Sequence, residues 1–393
     1  MTSLTPYSSG PTGPTGPAGP SGAPGTGTGT GLGTGTETPD SADALLSVRD
    51  LTVEYRTDSG HAAAVERLSF DVRAGETLAL VGESGSGKSA AAMALMGLLP
   101  PSARVGGSLR LRGRELIGLP ERELRAVRGR RIGIIFQDAL AALNPMMTVG
   151  DQITEAVAVH DPGLGRDALT ERAADLLALV GIPAPRARLH AYPHEFSGGM
   201  RQRVMIAIGM ANEPDLLIAD EPTTALDVTV QAQILDVLRH VQERTGTAIL
   251  LITHDLGVVA GVADRVLVMY GGRDLECGDA ESVFYRPAHP YTRALLDALP
   301  RIDRRVPRLT QIPGRPDPPG RRPRGCPFQP RCAHAVPEVC ATEPAAPLPL
   351  TALHTTACVR THEIAPAPAR DTAPAAQGPA AGDRAAESEG DPR

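Results

Sequence analysis

The chain has 393 residues, 41% of them hydrophobic, and a formal net charge of −6. This length predicts two or three structural units with a sizeable core. The acidic balance argues against broad electrostatic binding to nucleic acid. No uncharged apolar run reaches roughly 18 residues, so we expect no membrane span. The N-terminus lacks a basic segment followed by an apolar one, so we expect no signal peptide and a cytoplasmic protein.

The two ends of the chain are poor in core-forming residues. Residues 1–42 consist mainly of Gly, Pro, Thr and Ser, with glycine at every third position from Gly10 to Gly25. About five such triplets are too few for a stable collagen triple helix, so a disordered tail is the better interpretation. Residues 363–393 have a comparable composition and are also predicted to be disordered.

A glycine-rich loop joins the first predicted buried strand, Thr77–Val81, to a predicted helix, Ala90–Met96. The loop, Gly82-Glu83-Ser84-Gly85-Ser86-Gly87-Lys88-Ser89, fits the phosphate-binding pattern G-x-x-x-x-G-K-[ST]. Lys88 is the only lysine among 39 basic residues. A lysine reaches phosphates as a compact point charge, whereas an arginine presents a planar fork. The alternative is a Gly/Ser turn with a surface lysine, which would match this pattern by chance roughly once in a thousand.

A second glycine pair follows a helical stretch further along the chain. An apolar strand beginning at Ile132 ends in Gln137, and Leu169–Val180 has an amphipathic helical pattern. Ser197 is a natural N-cap, and the two glycines after it let backbone amides approach an anion closely. Taken alone, Ser-Gly-Gly is weak evidence for a binding site.

Two later strands also end in polar residues. Leu217–Ala219 leads into Asp220 and Glu221, where an acid pair could hold Mg²⁺ and polarise a water; the alternative is a pair of acids facing solvent. After a turn and a predicted helix over Val228–Glu243, the strand Ala248–Thr253 leads into His254. A lone histidine in such a place is more often structural.

This ordered set of motifs resembles the ATP-binding subunit of ABC transporters over residues 45–290. The resemblance implies an α/β fold: a P-loop NTPase cassette with a RecA-like core, a β-subdomain and a helical subdomain at about 138–195. It implies that ATP and Mg²⁺ bind at the first glycine loop and that the second completes a nucleotide site on a partner chain. It assigns ATP contacts to Tyr55, Gly82, Glu83, Ser84, Gly85, Ser86, Gly87, Lys88, Ser89 and Asp220; Mg²⁺ binding to Ser89, Gln137 and Asp220; catalysis to Glu221, His254 and Gln137; the signature motif to Ser197, Gly198, Gly199 and Met200; and the D-loop to Asp227.

Sequence features outside these motifs are similar to the importers of oligopeptides and dipeptides. They are the signature Phe-Ser-Gly-Gly-Met and the segments at 136–152 and 287–300. The signature resembles the D-type subunit of those importers, which implies a distinct ATPase as partner, two permease subunits and an extracellular substrate-binding protein. It places the chain at the cytoplasmic face of the membrane. In this family the lobe at 138–195 receives the permeases; a simple packing insert is the alternative.

Four of the five cysteines lie in a Pro-rich extension predicted at 291–362. Cys326, Cys332, Cys340 and Cys358 are spaced C-x5-C-x7-C-x17-C, unlike common zinc fingers or bacterial ferredoxins. Four thiolates in a segment with little apolar core still suggest Zn²⁺ or an iron–sulfur cluster, and four free thiols is the remaining alternative. The resemblance to D-type subunits implies a [4Fe-4S] cluster. The fifth, Cys277, is expected to be an ordinary strand residue.

Two other classes of function fit the sequence less well than peptide import. A soluble ABC ATPase acting on DNA or ribosomes usually carries two cassettes, long coiled-coil insertions or CxxC zinc modules, and this sequence has none of them. A regulatory subunit with a dead site is disfavoured because every assigned catalytic position is intact. Another cargo, such as nickel, remains open.

Overall fold

The computed structural model describes residues 44–57, 60–224, 226–299, 311–342 and 347–364. The predicted tail at 1–42 lies outside these residues, as does nearly all of the one at 363–393. The described strands are β1 Ala44–Thr57, β2 Gly60–Arg73, β3 Thr77–Val81, β4 Arg104–Leu111, β5 Arg114–Glu115, β6 Ile132–Ile135, β7 Leu216–Asp220, β8 Ala248–Thr253, β9 Arg265–Tyr270, β10 Arg273–Asp279, β11 Leu348–Pro349 and β12 Thr355–Thr356.

Helices alternate with the later strands. The described α-helices are α1 Lys88–Leu95, α2 Glu121–Val127, α3 Ala139–Ala142, α4 Val149–Ala158, α5 Arg166–Leu179, α6 Pro185–Arg188, α7 Gly198–Gly209, α8 Val228–Thr245, α9 Leu256–Val259, α10 Ala280–Tyr285, α11 Pro290–Asp297 and α12 Pro337–Cys340. Short 3₁₀ turns occur at Pro193–Glu195 and Gln329–Arg331. Across the described ranges, we find no helix with both the length and the apolar character needed to cross a bilayer.

The strands form two sheets. An antiparallel sheet has the order β2-β1-β4-β5, and a larger mixed sheet has the order β11-β12-β10-β9-β3-β8-β7-β6. In the larger sheet β9, β3, β8, β7 and β6 are parallel neighbours. Because parallel strands end at the same edge, the loops that follow β3, β6, β7 and β8 meet there.

The larger sheet is covered on both faces, as expected for buried parallel strands. In β8, Leu250 and Ile252 join the core formed with the antiparallel sheet and α1. Their neighbours Ile249 and Leu251 join a second core formed with α4, α5, α7 and α8. This alternation follows from the two-residue period of a strand, and it holds the edge that carries the polar loops between two packed layers.

The C-terminal extension continues the larger sheet instead of standing apart. Strand β12 pairs antiparallel with β10, and β11 pairs with β12. Phe328 belongs to the same buried cluster as Tyr270 of β9 and Tyr291 of α11. The extension therefore shares a hydrophobic core with the strands beside the first glycine loop.

Several elements lie where the sequence predicts them. β3 and β8 have the predicted bounds, α5 overlaps the amphipathic pattern closely, and α8 runs two residues beyond the prediction. The interval 138–195 contains α3 to α6 and a 3₁₀ turn. Cys277 is a half-buried residue of β10, as expected for an ordinary strand position.

Candidate active site

The loop after β3 is folded around the only lysine. Lys88, at the start of α1, is buried, and its Nζ donates hydrogen bonds to the carbonyl oxygens of Gly82 at 2.7 Å and Glu83 at 3.0 Å. Ser86 Oγ lies 3.4 Å from the same nitrogen. Burial is the main influence on Lys88 and lowers its pKa, while nearby carboxylates oppose that shift. The ammonium is thus held by two backbone carbonyl groups and lies beside the Ser86 hydroxyl.

Gly87 shows why the loop needs glycine. Its φ of 105° lies in the left-handed region, and a Cβ built on it would come within 2.6 Å of the Ala64 carbonyl oxygen of β2. A side chain there would be strained by the backbone angle and would collide with a neighbouring strand. The close approach packs the loop directly against the antiparallel sheet.

Asp220 ends β7 at the same edge of the sheet. It is only 5% exposed, and its buried Oδ1 has no hydrogen-bond partner among the described residues. Burial raises the pKa of Asp220, and a hydrogen bond from the Ser89 hydroxyl works against that rise. A buried carboxylate oxygen with a free lone pair, beside a serine hydroxyl, is a donor set that suits Mg²⁺. These residues therefore fit the implied metal ion.

Glu221 is contacted by polar side chains from its own loop and from the loops that follow β6 and β8. Gln137 Nε2 and Thr224 Oγ1 donate to its Oε2 at 2.9 and 2.8 Å, and His254 Nδ1 lies 3.1 Å from its Oε1. Its backbone has a left-handed φ of 48°, and its N–H donates to the Ile252 carbonyl at 2.8 Å. A non-glycine residue in this conformation costs about 1–3 kcal/mol. The hydrogen bonds to its carboxylate and from its backbone N–H hold Glu221 in this conformation.

The charge state of Glu221 follows from these contacts. Burial acts to raise its pKa, but the hydrogen bonds from Thr224 and His254, with the positive charge of Lys88, outweigh burial and lower the pKa. Glu221 is therefore a carboxylate at neutral pH, half-buried beside a cation. Such a group can accept a hydrogen bond from a water.

The second glycine loop begins α7. Ser197 caps the helix, with its hydroxyl accepting from the Met200 N–H at 3.3 Å. Asp227 caps α8 in the same way, accepting from the N–H groups of Thr229 and Val230 at 3.1 Å each. Within the described residues, no hydrogen bond joins this loop to Lys88 or Glu221. The two glycine loops lie at the starts of different helices, α1 and α7, which pack in different cores.

The contacts of three other predicted residues show where they lie. Gly199 lies against α8, where a Cβ would come within 2.6 Å of a Val230 methyl group, and Gly198 is less crowded. Tyr55 is a half-buried residue of β1 that pairs with Ala62 of β2, two residues before the carbonyl that abuts Gly87. Burial raises its pKa. Tyr55 is thus near the first loop, on the antiparallel sheet.

Two groups of residues contact the site without a sequence pattern that points to them. Thr224 donates to Glu221, and nothing in the turn after the acid pair singles it out. Arg331 forms a bidentate ion pair with Glu83, at 2.7 and 3.1 Å. Tyr291 Oη accepts a hydrogen bond from the Glu83 N–H at 3.0 Å. No local pattern could reveal pairs more than 200 positions apart.

The four cysteines of the extension line one cavity of about 200 Å³. The pKa of Cys326 is raised to about 11, mainly by burial and to a lesser extent by repulsion from the other three thiols. In the parts of the chain that are described, however, no group of three or more His, Cys, Asp or Glu side chains is arranged to hold a metal ion. The predicted iron–sulfur or zinc site is therefore not formed as a ligand set, although its residues converge.

Comparisons with known proteins agree with this geometry. The ABC transporter family matches residues 65–224, and the family "Oligopeptide/dipeptide transporter, C-terminal region" matches residues 275–340, beginning in β10 before the predicted boundary at 291. The oligopeptide transport ATP-binding protein OppD of Salmonella typhimurium is 53% identical over 78% of this chain and 91% of its own length. The dipeptide transport ATP-binding protein DppD of Bacillus subtilis is 51% identical over 74% of this chain and 87% of its own length.

A solved structure shares the fold. The dimeric, post-hydrolysis form of an ATP-binding cassette bound to ADP and Pi aligns with a TM-score of 0.54 and 25% identity, over 60% of this chain and 99% of its own. Fold, site and relatives define an ABC-type ATPase of the P-loop class. Within that class, the chain belongs to the family of oligopeptide and dipeptide transporter ATP-binding subunits.

Proposed function

We propose that this chain hydrolyses ATP to energise the import of dipeptides or oligopeptides. The observation that carries the proposal is the buried, unpartnered Oδ1 of Asp220 beside Ser89, at the same sheet edge as Lys88 and Glu221. That edge combines a cation for phosphates, ligands for Mg²⁺ and a base for water. The peptide cargo is supported by the names of the relatives.

Each residue at the edge has a separate role in phosphoryl transfer. Lys88 exchanges its carbonyl partners for the β- and γ-phosphates, and Tyr55 stacks on the adenine. Ser89, Asp220 and Gln137 would hold Mg²⁺, which would neutralise charge on the phosphate oxygens. The backbone amides of the glycine loop contribute to the same neutralisation.

Hydrolysis also needs a positioned water. Glu221 accepts a hydrogen bond from the attacking water, and His254 contacts the γ-phosphate. In the described structure Gln137 and His254 both contact the Glu221 carboxylate. Without nucleotide, the Glu221 carboxylate is thus bound by Gln137 and His254. When nucleotide and water enter, they compete with Glu221 for these two side chains.

A second ATPase chain completes each nucleotide site. The loop Ser197–Met200 and the cap Asp227 of one chain face ATP held by the other. The separation of the two loops within one chain supports this arrangement, as does the dimeric state of the related cassette. We take the partner to be a distinct chain because of the Phe-Ser-Gly-Gly-Met signature.

The assembled transporter includes two permeases and an extracellular substrate-binding protein. The chain then lies at the cytoplasmic face of the membrane, held through the helices at 138–195. The cassette is assigned to 45–290 and the cysteine-containing extension to 291–362. Tails at 1–42 and 363–393 complete this organisation.

The cysteine cavity is proposed to hold a [4Fe-4S] cluster, with Zn²⁺ as the alternative. Support comes from the convergence of Cys326, Cys332, Cys340 and Cys358 on one cavity of about 200 Å³. Anaerobically purified protein should be brown, with absorbance near roughly 400 nm and bound iron. Stoichiometric zinc without iron would reject the cluster and support the alternative.

A Glu221→Gln variant tests the ATPase proposal. The amide keeps the shape of the side chain but cannot act as a base, so hydrolysis in the assembled transporter should fall by about 10²–10⁴-fold while MgATP still binds. ATP should then hold the two ATPase chains together, which phosphate release and sizing of the complex can measure. Glu243→Gln, at an exposed position of α8, serves as the control. Normal turnover by Glu221→Gln would contradict the assignment.

A further inference from the structure

The carboxylate of Glu83 lies within the glycine loop that we propose to bind the phosphates of ATP. Glu83 follows Gly82, and both residues offer their carbonyl oxygens to Lys88. An unpaired negative charge here would repel a triphosphate. The structure pairs the Glu83 carboxylate with Arg331, whose Nη1 lies 2.7 Å from Oε2 and whose Nη2 lies 3.1 Å from Oε1.

Arg331 is held rigidly enough to act as a clamp. Its side chain is only 6% exposed, and its guanidinium lies 5.6 Å from the ring centroid of Tyr270 and 5.9 Å from that of Phe328. Its Nε also donates to the Pro313 carbonyl at 2.8 Å. A planar, stacked and bidentate guanidinium fixes both the position and the orientation of its carboxylate partner.

A second contact fixes the backbone of the same residue. Tyr291 of α11, which is fully buried, accepts a hydrogen bond from the Glu83 N–H at 3.0 Å. Its ring lies 5.1 Å from Phe328 and 4.7 Å from Tyr270. Arg331 therefore binds the side chain of Glu83, and Tyr291 binds its backbone. Both contact the aromatic cluster of Tyr270, Tyr291 and Phe328, to which the C-terminal extension contributes Phe328.

From this geometry we propose that Arg331 is a positioning residue for nucleotide binding. It neutralises Glu83 and holds the start of the phosphate-binding loop in place, so that Lys88 can reach the phosphates. The C-terminal extension thereby completes the chain's own ATP site. This inference rests on the proposed function, since it requires that the loop bind MgATP.

The proposal predicts a specific order of nucleotide affinities. Arg331→Met leaves Glu83 unpaired beside the incoming phosphates, and the dissociation constant for MgATP should rise about tenfold or more. Glu83→Gln alone should raise it by a smaller factor than Arg331→Met, because the loop loses its ion pair but no uncompensated carboxylate faces the phosphates. The double variant Glu83→Gln/Arg331→Met should bind MgATP more tightly than Arg331→Met, because the unpaired carboxylate is gone. A role confined to general stability would not be rescued in this way.

The chain provides a matched control in Arg273. Its guanidinium also makes a bidentate pair, with Glu66 at 2.7 and 3.1 Å, and donates to Gly325 of the extension at 3.0 Å. Arg273→Met removes a comparable link to the extension without touching the loop. It should lower the melting temperature but leave MgATP affinity within about twofold.

Titration of full-length protein with MgATP by calorimetry, with thermal melts of each variant, decides the matter. Unchanged affinity in Arg331→Met would overturn the proposal, and so would equal losses in Arg331→Met and Arg273→Met. So would a double variant that binds no better than Arg331→Met. Lys88→Ala tests the parent function separately: if wild type and Lys88→Ala both fail to bind MgATP, the proposed function itself fails.

Discussion

Asp220 shows how a single residue can cost stability for the sake of a ligand. Its carboxylate is buried, and one oxygen has no partner in the described structure. Burial raises its pKa above the ordinary value of 3.8. A raised pKa means that the folded protein disfavours the charged form, so the ionised Asp220 destabilises the nucleotide-free fold at neutral pH.

Asp220→Asn should therefore raise the melting temperature by a few degrees at pH 7 in the absence of nucleotide. The sign follows from linkage. Below the ordinary pKa of 3.8 the group is protonated in both folded and unfolded states, so the gain should shrink as the pH falls through the raised pKa. Thermal melts between neutral and mildly acidic pH measure this gain.

The matched control is Asp236→Asn on the exposed face of α8, where the side chain is 65% exposed beside Arg239. It should give little gain at any pH. Asp220→Asn should also weaken Mg²⁺-dependent ATP binding about tenfold or more. Loss of stability in Asp220→Asn at neutral pH would contradict the view that this carboxylate is held at a cost.

At the scale of residues, the sequence could indicate which side chains matter but not how they are held. A lone lysine in a glycine loop and an acid pair after an apolar strand are local patterns. The side-chain partners of Glu221 come from its own loop and from two others, so only the parallel sheet brings them together. The Arg331–Glu83 pair spans 248 positions and follows no local pattern.

Helices α7 and α8 pack against each other at Gly199, the second glycine of the Phe-Ser-Gly-Gly-Met sequence. Gly199 lies so close to Val230 that a Cβ would come within 2.6 Å of a valine methyl group. Valine has a stiff, short side chain and cannot swing away. The glycine of the signature therefore has a packing role at the junction of these two helices.

Gly199→Ala should destabilise the fold by about 1–3 kcal/mol, the usual cost of overpacking. The double variant Gly199→Ala/Val230→Ala should recover most of this loss, because the second change makes room for the added methyl group. Denaturant unfolding of both variants and of Val230→Ala measures the coupling. Gly198→Ala is the matched control, since its Cβ would meet Leu226 only at 3.5 Å. Additive losses in the double variant would show that the junction is not the cause.

Elements with strong patterns were predictable and short ones were not. β3 and β8 are uninterrupted apolar runs, all of whose residues are buried, and their bounds follow from the sequence. β11 and β12 have two residues each, too few for any period to appear. They are strands only because β10 offers an edge to pair with, so the union of the extension with the main sheet could not be foreseen.

In the whole molecule the two glycine loops lie on different layers. The edge with Lys88 and Glu221 lies at the ends of the parallel strands, while Ser197 caps a helix that packs on the other layer. Under the roles proposed above, one chain binds ATP but does not itself supply the signature loop to that ATP. Hydrolysis should therefore depend on assembly with a second cassette, as proposed above.

A mixing experiment distinguishes a distinct partner from a second copy of this chain. Lys88→Ala removes nucleotide binding but leaves the signature loop, and Ser197→Arg does the reverse. In a homodimer the two variants would rebuild one complete site, and a random mixture should recover about a quarter of the wild-type rate. Because we propose a distinct ATPase as partner, we expect the mixture and the wild-type chain alone to release phosphate at no more than a few per cent of the rate of the assembled transporter. Recovery of activity in the mixture would contradict the proposal of a distinct partner. It would show that two copies of this chain complete each other's sites.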